Sequence, residues 1–197
     1  MQSVIFNLNQ FVMNATDQKI YAAAIAQGLS PTIAAIVVAQ ARYETADYSS
    51  NVYKQNNNLF GYKYVGQALA VQGSPVPGSE QSAGPKYYAK YATVEDSVKE
   101  LVQWIRRRVD GKQFTMQELT TPEGYAAGFG RLPYRFFGVS VAQYAAGLRA
   151  KLQTLGDAAG PIVEAANGAT GGKIVFAIVV LLLLGSTIFV KSTAGNR

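Results

Sequence analysis

The sequence predicts an α+β fold, mainly helical, with one small antiparallel sheet and a single apolar helix near its C-terminal end. Three observations lead there. Apolar residues recur at spacings of three and four through most of residues 1–155. Tyr- and Val-rich segments gather between Gly61 and Thr93, around a Gly/Pro/Ser-rich stretch from Gln72 to Pro85. From Ile174 to Val190 no charge interrupts an apolar run. The chain then divides into a folded domain at 1–155, a flexible linker at 156–172, a membrane-spanning helix at 173–191 and a short basic tail at 192–197.

Composition narrows the chemistry. With 197 residues there is room for one sizeable domain and an appendage. The absence of Cys and His excludes disulfides, Cys–His nucleophiles, a histidine base and the common zinc sites. Neither a metal nor a cofactor is implied. Eighteen basic residues against 12 acidic ones give a net charge of +6. That charge suits an anionic partner such as a cell-wall polymer or a membrane surface, and equally a generally basic protein. No long Lys/Arg run or aromatic stacking platform argues for nucleic acid.

In chain order, MQSVIFNLNQFVMNATDQKIY lacks the basic start, unbroken apolar core and small-residue cleavage site of a secretory signal. Val4, Leu8, Phe11 and Val12 suggest a short helix. Asp17 to Gln27 reads as a second, closed by Gly28. Ser30 and Pro31 then give the cap-and-proline start of a helix that is apolar on most sides. Ile33, Ile36, Val37, Gln40 and Glu44 share one face, which places a lone carboxylate at the C-terminal end of a buried stripe. Removal from water and the negative end of the helix dipole both favour the protonated carboxyl that a general acid needs. Position alone leaves Glu44 open between that role and an ordinary helix end paired with Arg42 or Lys54. The run Asn56, Asn57, Asn58, followed by Leu59, Phe60 and Gly61, reads as a sharp turn fixed beside that helix end.

Together, AQARYETADYSSNVYKQNNNLFGYK resembles the signature of the glucosaminidase family of peptidoglycan hydrolases, glycoside hydrolase family 73 of the lysozyme-like superfamily. That signature is an AQ-x-x-x-E-[ST] helix end, a gap, and N-N-L-F-G-x-K. YAKYATVEDSVKELVQW resembles the family's Y-x-S-x-x-E-S-V-x-D-Y-x-x-[FW] helix, and the likeness covers about residues 15–155. The resemblance implies a lysozyme-like helical domain whose small β-lobe walls a substrate cleft. It also implies hydrolysis of β-1,4 glycosidic bonds in peptidoglycan glycan strands, with Glu44 as catalytic acid. A muramidase or lytic transglycosylase on the same superfold is the enzymatic alternative, and a catalytically silent wall-binding protein the other.

Glycoside hydrolysis usually pairs two carboxylates. Glu80 is the one acidic residue between Tyr48 and Val94, so it is the candidate partner, or else a solvated loop residue; Asp47 is the fallback. Asn58 and Phe60 of the turn are candidate substrate contacts. Tyr62, Tyr64 and Tyr134 are candidates for lining a sugar groove, with core packing as their default.

Thr93 caps an amphipathic helix carrying Val94, Val98, Leu101, Val102, Ile105 and Val109 on one face. Its closing Arg106, Arg107 and Arg108 read as a solvated end rather than a binding patch. A short helix is expected near Thr115, another after Thr121-Pro122, and a last one from Ser140, with Val141, Tyr144, Ala145, Leu148, Leu152 and Leu155 as its stripe. The resembled family places a cleft tyrosine just before this helix. The aligned position here is Phe136 or Phe137, so that hydroxyl is absent unless Tyr134 supplies it.

The 17 residues from Ile174 to Val190, flanked by Lys173 and Lys191, reach the lower limit for spanning a bilayer. A wall hydrolase with such an anchor and no leading signal is expected in the internal membrane of a phage virion, beside capsid or vertex proteins. Otherwise it belongs in the bacterial inner membrane.

Overall fold

The computed structural model describes residues 13–77, 85–131 and 138–155. Six helices and two strands follow in order: α1 (Ala15–Ala26), α2 (Pro31–Glu44), α3 (Asn51–Asn56), β1 (Ala70–Pro75), β2 (Tyr87–Tyr91), α4 (Val94–Asp110), α5 (Pro122–Gly130) and α6 (Val141–Thr154). A 3-10 turn at Glu118–Thr120 precedes α5. The expected mainly helical α+β architecture is present among these residues. No helix among them is long and apolar enough to cross a membrane. The expected N-terminal helix, the linker, the anchor at 173–191 and the tail lie outside the described residues.

α2 is the axis of the domain. Every residue from Ile33 to Arg42 is buried, because α2 packs against both α1 and α6 while α1 meets α4 and α5 meets α6. A helix apolar on all sides can be satisfied only in that enclosed position. The helix starts obey local chemistry. Ser30, Thr93, Thr121 and Ser140 each accept a backbone N–H from the first turn of α2, α4, α5 and α6. Asn14 and Asp17 form a reciprocal capping box that starts α1 two residues before the expected point. Gly28, at φ +78°, ends α1 in the left-handed conformation that favours glycine.

The sheet lobe is a two-stranded antiparallel pair, with Ala70 opposite Tyr91 and Gln72 opposite Ala89. The first strand falls later than the GYKYV segment suggested. Residues 62–64 instead lie along the other edge of β2, with Ala89 N donating to Tyr62 O at 2.8 Å and Tyr64 N to Tyr87 O at 2.8 Å. β1 runs on into the Gly/Ser-rich stretch that composition marks as loop. Its Gly73 is needed there, since a Cβ would overlap the Asn56 side chain.

The three asparagines join this lobe to the helices. Asn56 Nδ2 donates to Ser74 Oγ at 2.7 Å, and Asn57 Nδ2 to the carbonyls of Tyr91 and Ala92 at 3.1 Å each. Asn58 Nδ2 donates to Ala89 O at 2.9 Å and Tyr62 O at 2.8 Å, while its Oδ1 accepts from the amides of Phe60 and Tyr62. Asn57 sits at φ +49°, a conformation asparagine tolerates better than most residues.

Candidate active site

Glu44 is the last residue of α2, and two other elements, α5 and α6, converge on its end of the helix. From α6, the fully buried Tyr144 donates its hydroxyl to Glu44 Oε1 at 2.7 Å. Tyr43 meets the Tyr144 ring edge-on, with centroids 5.2 Å apart. α6 comes this close because Gly147 has no Cβ, which would overlap the Tyr43 ring. From α5, the buried Tyr125 donates to Gln40 Oε1 at 2.6 Å, one helical turn before Glu44.

The electrostatics follow from this setting. Burial pushes the Glu44 carboxyl above the ordinary carboxylate value, and the Tyr144 hydrogen bond opposes that shift without cancelling it. Among the described residues no ion pair to Glu44 forms: Arg42 is engaged elsewhere and Lys54 is exposed on α3. The partially negative C-terminal end of α2 acts in the same direction as burial. The paired helix-end alternative for Glu44 through Arg42 is therefore not what forms. A carboxyl held in this way keeps its proton to higher pH than an exposed one, which is the property a general acid needs.

Arg42 belongs to a second network on the far side of the same helix end. Its Nε and Nη2 donate to Asp17 at 2.9 and 2.5 Å, and its Nη1 to Thr154 Oγ1 at 3.0 Å. Tyr48 OH donates to Asp17 at 2.6 Å, and Asn14 N at 2.8 Å. Burial works to raise the Asp17 carboxyl, but these donors outweigh it and hold it below its ordinary value. The network also closes an unusual turn. Ala46, Asp47 and Tyr48 lie at φ +48°, +53° and +66°, a left-handed run of non-glycine residues that costs about 1–2 kcal/mol each. Thr45 Oγ1 accepts from Tyr48 N at 2.9 Å, and Asp47 N donates to Arg42 O at 2.8 Å, so the chain reverses immediately after Glu44.

The other sequence candidates fall into different settings. Asp47 is exposed and ion-paired to Lys151 at 2.6 Å. Glu80 and Tyr134, like Phe136 and Phe137, lie outside the described residues. Asn58 is buried, its donors and acceptor engaged by backbone of the turn and of β2, so the sequence candidate for substrate contact is occupied in holding the β-lobe. Phe60 is buried beside Tyr62, with ring centroids 6.2 Å apart. Tyr62 and Tyr64 are half-buried along β2, and Tyr125 is within electrostatic reach of both Tyr62 and Glu44. A further largely buried carboxylate, Glu100 of α4, is ion-paired to Arg107 at 3.6 Å. Among the described residues no cluster of three or more acidic, His or Cys side chains is suited to a metal ion.

Tyr144, Gln40 and Tyr125 are the site residues that sequence reasoning passed over as functional groups. Tyr144 stood in an apolar stripe, where its ring fits a core, yet a buried phenol needs a hydrogen-bond partner, and that requirement was the available signal.

With this geometry in place, comparison with known proteins gives one result. A family model described as glucosaminidase, mannosyl-glycoprotein endo-beta-N-acetylglucosaminidase, matches residues 18–157. No curated protein and no solved structure matches the chain.

Proposed function

The chain belongs to the glucosaminidase family and is a glycoside hydrolase acting on peptidoglycan; from that premise we propose that it is an endo-β-N-acetylglucosaminidase whose catalytic acid is Glu44. The observation that carries the assignment is the environment of this carboxyl: withdrawn from water, hydrogen-bonded by the Tyr144 phenol, and with no ion pair among the described residues. Glu44 protonates the oxygen of a β-1,4 bond that follows N-acetylglucosamine. As the bond breaks, the ring carbon becomes oxocarbenium-like, and the Glu44 carboxylate left behind receives the Tyr144 hydrogen bond in charge-assisted form. Water completes the reaction, activated by Glu80, by Asp47 or through the substrate's own N-acetyl group.

The second part of the proposal is attachment to a bilayer through residues 174–190, supported by an uncharged run bracketed by Lys173 and Lys191. Co-flotation of the full chain with lipid vesicles, lost on truncation after residue 158, tests the anchor.

Turnover of purified peptidoglycan tests the chemistry, with product ends identified by mass spectrometry for wild type and Glu44→Gln. New N-acetylglucosamine reducing ends from wild type alone are the expected result. Anhydro ends would assign a lytic transglycosylase and new N-acetylmuramic acid reducing ends a muramidase, while wall binding with no cleavage by either protein would remove the enzymatic reading.

A further inference from the structure

The small sheet has a side that the candidate site does not use. Successive residues of a strand face opposite sides, and residues opposite each other in register share a side. Ala89 and Tyr91 are buried on one side of β2, so Lys86, Tyr88 and Lys90 fall on the other. Neighbouring segments add to that second side. Val71 lies opposite Lys90, and Lys63 is bridged to Tyr88, with its Nζ 3.9 Å from the centre of the Tyr88 ring. Continuing the register of this bridge by two residues sets Val65 opposite Lys86. Two valines and three lysines thus surround Tyr88 on one side of the β-lobe.

Exposure and charge single this side out. Val65 and Val71 are the most open large apolar side chains among the described residues, at 70% and 63%, whereas the next two reach only 39% and 37%. Lys86 and Lys90 are exposed and form no ion pair among the described residues. Between Ser49 and Ala92 the sequence carries four lysines and one acidic residue, Glu80. Open valines set among lysines suit the surface of an acidic bilayer: ammonium groups reach phosphates while short apolar side chains enter the acyl boundary. A hydrophilic polyanion would engage the lysines and leave the valines in water. Chain length agrees with a bilayer as the occupant. Only 18 residues separate Leu155, the last described residue of the domain, from Ile174, and they reach at most roughly 65 Å however they run.

We propose that the side of the β-lobe bearing Val65, Val71, Lys86 and Lys90 docks on a bilayer leaflet that contains acidic phospholipid. The docking adds a second contact to the proposed attachment through residues 174–190, and it does not depend on the role of Glu44. It fixes which side of the domain faces the lipid, a constraint that an attachment at one end of the chain does not supply. Because the lysines carry part of the attraction, the contact weakens as salt screens them.

The sequence has no cysteine, so a nitroxide can be placed on the full chain at one position at a time. Val65→Cys and Val71→Cys report on the lobe, and Ala22→Cys, exposed on α1, is the reference. On vesicles of phosphatidylcholine with about one-third phosphatidylglycerol, the two lobe labels should lose several-fold in collision with a water-soluble nickel chelate, while the reference label stays open. On pure phosphatidylcholine, or in about 1 M salt, the lobe labels should stay open as well. Lys86→Gln combined with Lys90→Gln should abolish the protection and leave peptidoglycan turnover unchanged. Lobe labels as open as the reference on acidic vesicles overturn the docking, even where the chain floats with the lipid and the anchor stands. Protection by purified peptidoglycan in place of vesicles also overturns it and gives this side to the wall. Protection on acidic vesicles supports the docking even in a chain that does not float with neutral ones, a result that removes only the anchor.

Discussion

Asp17 and Glu44 are both carboxylates withdrawn from water against α2, and the protein holds them in opposite ways. Asp17 receives Arg42 through two nitrogens, together with Tyr48 OH and Asn14 N, and lies below its ordinary pKa. Among the described residues Glu44 receives the Tyr144 phenol and no cation, and it lies above its ordinary pKa. The difference is one of supply: several donors and a guanidinium offset the loss of water, whereas a single neutral donor does not. One environment favours a structural anion, and the other favours the protonated form that the proposed acid requires. Two like residues with environments that push them apart are a recognised basis for dividing structural from acid–base roles.

The largest effect should follow from removing the acid itself. Glu44→Gln keeps the shape but has no proton to give, and peptidoglycan turnover is expected to fall by about 10²–10⁴-fold, measured by reducing-end release. Stability should move the other way. Folded Glu44 retains a proton that the unfolded chain has already released, so stability declines as pH rises from the ordinary carboxylate range through the raised folded value. The amide removes that decline, so the variant should melt higher than wild type at neutral pH, with the gap shrinking on acidification. A variant that is inactive but also less stable at neutral pH would break the contrast with Asp17.

Arg42→Leu attacks the opposite pole. It strands a buried Asp17 anion and frees the turn at Ala46, Asp47 and Tyr48, with an expected loss of about 3–5 kcal/mol in denaturant unfolding. The pH signature is also opposite. Asp17, whose folded pKa is depressed, contributes stability above the ordinary carboxylate range that is lost as pH falls through its folded value, so wild type should lose this contribution in acid. The Arg42→Leu variant should lack that part of the acid dependence.

Much of the scaffold was legible in the sequence. The cap-and-proline starts at Ser30 and Thr121, the cap at Thr93, the glycine at Gly28 and the unbroken apolar run of α2 act through neighbours in the chain, so their signals are local. The Glu44 position followed from helical spacing and from the family signature. What was not legible is pairing at long range. Asp17 and Arg42 are 25 residues apart, and Tyr144 stands 100 residues beyond Glu44. Nothing local distinguishes a tyrosine that fills a core from one that also aims its hydroxyl at a carboxyl. α3, at six residues, is too short for a periodic signal. The asparagine run was readable as a fixed turn, but its contacts to β1 and β2 depend on where the strands pair.

Asn58→Ala sharpens the account by separating lobe attachment from chemistry. It deprives the amides of Phe60 and Tyr62 of their acceptor, and an expected loss of about 2–3 kcal/mol should appear in chemical denaturation. If Asn58 acts only through the lobe, the Glu44 titration should stay in place. Gly147→Ala should have the smallest effect, a loss of about 1–3 kcal/mol by overpacking against Tyr43. Because Tyr43 braces Tyr144, that variant should also raise the pH at which Glu44 titrates.

The most direct measurement is site-resolved carbon-13 titration of the Asp17 and Glu44 carboxyls in one sample of the wild-type protein. The account predicts that Glu44 titrates above the ordinary carboxylate range and Asp17 below it. Glu44 titrating at or below its ordinary value would contradict its assignment as the proton donor held ready by burial.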